Sequence, residues 1–161
     1  MRSLLIIMLS LSLFGTHLKK GDLAPGFSLK NQDGEICQLN DYSGKKLVIY
    51  FFPKAFTPGW TKQACGFRDE SKNFEDLNIS VVGVSYDSEN QLKLFKDKYS
   101  LPFDLLSDPK KIMGSAYGVN SFYFFAQRKT FLIDESGSLV YIFEDVNLNS
   151  HPDDILKVFN K

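Results

Sequence analysis

The chain is short of the residues that build metal centres, and it is short of net charge. It has two cysteines, Cys37 and Cys65, and two histidines, His17 and His151. Scattered as they are, these four make no metal-ligand cluster. In an oxidising compartment the cysteines could pair, but their spacing does not demand it. Lys and Arg number 19 and Asp and Glu number 19. A chain without net charge offers no electrostatic case for binding nucleic acid or an anionic membrane. There is no internal repeat and no low-complexity segment. A long hydrophobic run is also missing: Leu4 to Phe14, behind Arg2, gives eleven mostly apolar residues, where a membrane span needs about 20.

That run has the length of a signal-peptide hydrophobic region. The expectation is a leader over 1–18, a single domain over 19–161, and export to a periplasmic or extracytoplasmic compartment. The mature chain would start between Gly15 and Gly21. A first strand or an uncleaved anchor is the alternative, and without export the chain would be cytoplasmic. His17, beside the expected cut, and His151, beside Pro152, read as bland.

What remains is ordinary globular material, rich in aromatics. The 161 residues suit one domain, and 15 Phe and 7 Tyr supply a large apolar payload. Phe27 and Leu29, the turn "NQDG", and Ile36 and Leu39 read as a hairpin. "KLVIYFF" (46–52) and "ISVVGVSYD" (79–87) are continuous strand-forming runs, expected to be buried on both faces. "TFLID" and "LVYIF" flank "ESGS" as a second hairpin. Helices are expected from Pro58 to Leu77, from Ser88 to Tyr99, from Pro109 to Tyr117 with Asp108 as cap, and over 152–160. The order predicts an α/β fold with a mixed central sheet flanked by helices, parallel in its first half and antiparallel at its end.

The stretch "FFPKAFTPGWTKQACGFRDE" (51–70) holds the chemistry. A buried strand ends at Pro53, Thr57 can cap a helix, and Pro58 suits its first position. Residue 60 then lies in the first turn, where the helix dipole and unpaired N–H groups favour an anion. A cysteine placed there would have its pKa lowered and become a thiolate. The residue is instead Trp60, whose indole has an N–H donor and no nucleophilic lone pair. Cys65 follows five residues later, about 7.5 Å of rise and about 140° of rotation along a helix. A disulfide needs Cα atoms within about 7 Å, so a bond between 60 and 65 would require local unwinding. Gly59 and Gly66 lower the cost of that unwinding.

"PKAFTPGWTKQACGFRD" resembles the active-site segment of peroxiredoxins of the bacterioferritin-comigratory-protein, or peroxiredoxin Q, subfamily. That segment reads Pro-x-x-x-Thr-Pro-Gly-Cys-Thr-x-x-Ala-Cys. The likeness continues through "GDLAPGFSL", "VVGVSYDS", "LPFDLLSD", "AYGV" and "RKTFLID", from Gly21 to near the C-terminus. It implies a thioredoxin-like fold and reduction of hydrogen peroxide and organic hydroperoxides, with electrons from a thioredoxin-type reductant. It implies no metal or organic cofactor, no nucleic acid, no stable membrane insertion, and a monomer or homodimer. On the resemblance, Pro53, Thr57 and Arg128 line the peroxide pocket, Trp60 stands at the peroxidatic position, and Cys65 matches the resolving cysteine.

Three readings of Trp60 stay open on sequence. It can be a core residue of a catalytically inactive binding or structural protein, since Trp60, Ala64, Phe67 and Phe74 share one helical face. It can mark a UGA codon, which encodes selenocysteine in some settings and Trp in others. Or redox chemistry can rest on Cys65 alone, two turns beyond the dipole's help. Cys37, on a hairpin strand, is expected to be a buried inert thiol. The aromatic stretch "SFYFFAQ" (121–127) is expected to rim the pocket or cover the core.

Overall fold

The run from Lys46 to Phe51 becomes the central strand of a seven-stranded sheet in the computed structural model, which describes residues 17–160. Strands β1 (Ser28–Asn31) and β2 (Ile36–Gln38) form the first hairpin, and a 3-10 turn over Leu39–Tyr42 leads into β3 (Lys46–Phe51). Then come α1 (Pro58–Asp69), α2 (Ser71–Asp76), β4 (Ile79–Ser85), α3 (Glu89–Tyr99), β5 (Asp104–Ser107), α4 (Ile112–Ala116), β6 (Lys129–Ile133), β7 (Leu139–Phe143) and α5 (His151–Phe159). The spatial order is β2-β1-β5-β4-β3-β6-β7. β5, β4 and β3 run parallel; β6 and β7 flank them antiparallel on one side, β1 and β2 on the other. The expected leader lies outside the described residues but for its last two.

Alternation along β3 sorts the core into two layers. Val48, Tyr50 and Phe52 face a cluster with Trp60, Ala64, Phe67, Phe74 and Phe95. Leu47, Ile49 and Phe51 face the other, with Val84, Met113, Tyr117 and Phe131. Gly83 is required where the first layer meets the sheet, because a Cβ there would lie 2.7 Å from the Tyr50 ring. The chain before β1 belongs to the second layer: Leu18 packs against it, and the Gly21 N–H donates to the Leu139 carbonyl.

Four expectations need correction. The helix from Pro58 is two helices, broken at Glu70, where ψ is 6° and the side chain accepts from Asn73. Phe67 and Phe74 keep one face across the break, so apolar spacing alone does not reveal it. α4 starts at Ile112 and not at Pro109, because Lys111 takes a left-handed φ of 57°. Asp108 still serves this helix, its carboxylate accepting from Ile112 and Gly114 N–H groups. β5 is a strand that the sequence reading lacked; its four residues satisfy themselves by pairing with β4 and β1, far away in the chain. That pairing puts antiparallel strands on both flanks of the sheet rather than at its end alone. Lastly, the rings of the aromatic stretch are no core cover: Phe122, Tyr123 and Phe124 are mostly exposed, and only Ala126 behind them joins the core.

Candidate functional site at the start of helix α1

The site is set by how β3 hands over to α1. Pro53 ends the run half-buried. The loop after it is tied to β4 through Asp87, whose carboxylate accepts from the Ala55 N–H at 2.8 Å and the Ser85 hydroxyl at 3.0 Å. Phe56 then takes φ 66°, a left-handed conformation that is costly for a bulky residue. Its ring meets Phe95 edge-on at 5.3 Å, which offsets some of that cost. The turn aims Thr57 into the N-cap position, with Pro58 as first helical residue. Thr57 caps with its backbone: its carbonyl accepts from the Trp60 and Thr61 N–H groups. Its hydroxyl does not cap but donates back to the Lys54 carbonyl at 3.1 Å.

Trp60 is 6% exposed and packs 6.3 Å from the Phe52 ring. Over its other side lies Arg128, the residue before β6, with the guanidinium carbon 3.7 Å from the ring centroid. A half-buried cation stacked on an indole is a favourable pair, worth on the order of 1 kcal/mol. Arg128 makes no salt bridge among the described residues, and burial holds its guanidinium below its ordinary range. It remains the charge that any anion at position 60 would meet.

Gly59 is part of this contact. A Cβ there would stand 3.0 Å from Arg128 Nη2 and 3.6 Å from the Leu148 side chain. The segment before α5 therefore covers the first turn of α1, and Lys62 donates to Asn149 from the same side. One turn on, Gln63 is 2% exposed with neither amide atom paired among the described residues. It stands between Gly59 and Gly66 on the helical face that meets Arg128 and Pro152. Below that face His151 is buried, its Nε2 2.9 Å from the Thr130 hydroxyl. Burial depresses His151 to a pKa of about 4, against the opposing Asp154 carboxylate and with a smaller push from the Arg128 charge.

The sequence therefore placed Trp60 and Arg128 in one site, and they touch. Thr57 stands at the helix start and Pro53 at the strand end beside it. Cys65 lies on the same helix, half-buried and unpaired. α1 is continuous through both positions, so 60 and 65 are not poised to bond without unwinding. Cys37 is free as well, on the sheet's other layer. Burial first, and the Asp104 carboxylate second, push its thiol up to about 11, which makes it inert. Gln63 and Asp87 were not foreseen, Gly59 was read only for helix unwinding and not for its contact with Arg128, and His151, read as bland, is buried against Thr130. Helical spacing from Gly59 to Gly66 was the one available signal for Gln63; nothing local marked the others.

A family model described as the AhpC/TSA family matches residues 20–142. The chain belongs to that family. Peroxiredoxin Bcp of Escherichia coli K12 is 41% identical over 146 residues, covering 86% of this chain and 94% of that one. Among solved structures, peroxidoxin BcpB of Mycobacterium tuberculosis superposes with a TM-score of 0.84 at 30% identity, covering 89% of this chain and 97% of its own. A Xanthomonas campestris bacterioferritin comigratory protein, described for its alkyl peroxide reduction activity, superposes with a TM-score of 0.78 at 29% identity, over 83% of this chain and 90% of its own. The fold is thus the thioredoxin-like peroxiredoxin fold, and the likeness falls in the subfamily that the motif around Trp60 indicated.

Proposed function

We propose that the protein acts as a peroxiredoxin, reducing hydrogen peroxide or organic hydroperoxides at residue 60. Cys65 resolves the oxidised residue, and a thioredoxin-type dithiol restores the reduced state. The observation that carries this is Arg128, a half-buried guanidinium without a carboxylate partner among the described residues, in contact with the side chain of residue 60 at a helix start. The alkyl peroxide reduction of the Xanthomonas relative supports the substrate class.

The chemistry follows from that placement. A thiolate or selenolate at position 60 attacks one peroxide oxygen and the O–O bond breaks. Water or an alcohol leaves with a proton, and residue 60 becomes a sulfenic or selenenic acid. Arg128 stabilises both the starting anion and the charge growing on the leaving oxygen. The Cys65 thiol then condenses with the oxidised residue, a second water leaves, and α1 unwinds locally to allow the bond. The external dithiol reduces it, becoming a disulfide itself. Indole cannot take part, so the working protein needs a cysteine or selenocysteine at position 60, the latter from a UGA codon.

A second reading has its own observation. The Trp60 ring is 6% exposed and sandwiched between Phe52 and Arg128, as a core residue would be. In that reading the pocket is filled and the protein binds or scaffolds without turnover. The codon and the intact mass of the naturally produced protein separate the two. A chalcogen at position 60 together with peroxide turnover supports the peroxidase; a UGG codon, a Trp mass and no turnover overturn it.

Export is part of the proposal. Leu18 packs against the core and Gly21 bonds to Leu139, so a cut that preserves the fold falls between Gly15 and Leu18. N-terminal sequencing of exported protein tests this, and an intact Met1 in the cytosol contradicts it.

A further inference from the structure

We propose that the aromatic loop Phe122–Phe125 is a lipid-contacting face that seats the domain on an anionic membrane surface. Phe122, Tyr123 and Phe124 are 108%, 79% and 85% exposed, and Phe125 is 45% exposed. These four consecutive aromatic side chains belong to neither core layer. The loop holding them is nonetheless built. Asn120 pairs with Ala126 as a bridge, and the Gln127 N–H donates to the Val119 carbonyl at 2.7 Å. Ser121 Oγ lies 2.6 and 2.7 Å from the carbonyls of Tyr123 and Phe125. Its polar backbone is thus partly satisfied within the loop, which lowers the cost of taking it from water into an interface.

Two further observations choose the partner. The first is the loop's shoulder. Lys111 Nζ stands 5.5 Å from the Phe124 ring centroid. It is flanked in sequence by Lys110, and by Ile112, which is 65% exposed. Basic side chains beside exposed aromatics suit a headgroup layer that carries negative charge, with rings at the acyl boundary and ammonium groups among phosphates. The balanced charge of the whole chain hides this local arrangement. The second is where the described chain begins. His17 and Leu18 line a cleft with Asn120, Gln127 and Lys129, and Asn120 and Gln127 also line the cleft under Phe122 and Tyr123. The apolar segment Leu4–Phe14 therefore joins the domain beside the aromatic loop. During export, or afterwards if the leader is kept, the membrane lies on that side. The contact is interfacial, because no helix among the described residues is long and apolar enough to span a bilayer.

The proposal does not depend on the peroxidase reading, and its test needs no turnover. The full chain is mixed with vesicles of phosphatidylcholine containing phosphatidylglycerol, and with vesicles of phosphatidylcholine alone, and bound protein is separated by flotation. The parent should float with the anionic vesicles, less so at high salt. A Phe122→Ser/Tyr123→Ser/Phe124→Ser variant should bind at least about tenfold more weakly, the loss expected if the three rings together bury one ring's worth of apolar surface. Lys110→Glu/Lys111→Glu should weaken binding to the anionic vesicles and leave binding to the neutral ones unchanged. Circular dichroism confirms that each variant folds. A parent that stays in solution overturns the proposal. So does a loop variant that floats like the parent, since the leader alone then holds the chain. A parent that is a dimer by sedimentation in buffer, becomes monomeric on the triple substitution and never floats assigns the loop to a second copy instead.

Discussion

Positions 60 and 65 lie five residues apart on one helix, and each has what the other lacks. Position 60 has the setting: a helix start fixed by Pro58 and the left-handed Phe56, a guanidinium in contact, and a cover from the 145–150 segment. It has no nucleophile. Position 65 has the thiol, half-buried on the same helix two turns beyond the start, where the neighbouring cation, Arg68, is already engaged by the Asp69 carboxylate and the Tyr99 carbonyl. The difference shows that a reactive position is made by its surroundings rather than by the residue alone. Those surroundings can persist around a side chain that cannot use them.

The largest expected effect in breaking this pairing is on stability. Trp60→Ala removes a ring that packs against Phe52 and Arg128, and leaves a void beside a half-buried cation. A loss of about 3–5 kcal/mol is expected, read by denaturant unfolding followed by circular dichroism. Cys65→Ala, at a half-buried position, should cost far less. Similar losses at both positions would show that the first turn is no better packed than the third.

His151 ties the helix to the sheet and supplies a pH dependence with a definite sign. Its folded pKa is about 4, against about 6.5 in an unfolded chain. Because the folded value is depressed, the contribution is complete above pH 6.5 and is lost as pH falls from there towards 4. It amounts to about 3 kcal/mol at most. Unfolding can be followed by the fluorescence of Trp60, the one tryptophan in the chain. His151→Asn should flatten stability across that pH window; a profile unchanged by the substitution would show that His151 is not the group responsible.

A smaller effect, of opposite sign, is expected between the two positions. Gln63 is buried with both amide atoms unpaired among the described residues. Gln63→Met keeps the volume and removes that penalty, and should stabilise by about 1–2 kcal/mol. A destabilised variant would mean that the amide has a partner, such as an ordered water, that the described contacts do not include.

How much of this was legible in the sequence depended on whether the signal was local. A central strand was plain from the apolar run 46–52, and the buried face shared by α1 and α2 from the spacing of Trp60, Ala64, Phe67 and Phe74. Strand β5 was not, because "DLLS" is too short to show a period and is made a strand by distant partners. Arg128 could be assigned to residue 60 only through the family motif, since no spacing links the two. Gln63 carried no sequence reading, and its burial accompanies the packing of Arg128, Leu148 and Pro152 on Gly59 and Gly66. The core-cover reading of 122–125 failed for the converse reason: aromatic composition says that a segment can be buried, and only the packing shows that these rings stay exposed.

The central claim is that the setting at position 60 is intact and lacks only its nucleophile. It is tested most directly by peroxide consumption coupled to NADPH oxidation through thioredoxin, in the Trp60 protein, in Trp60→Cys, and in Trp60→Cys/Cys65→Ser. The account predicts background rates for the first and sustained turnover for the second. The third should complete about one turnover, followed by over-oxidation of residue 60 to sulfinic acid, visible by mass spectrometry. A Trp60 protein with full activity, or a folded Trp60→Cys protein that stays inert, would contradict it.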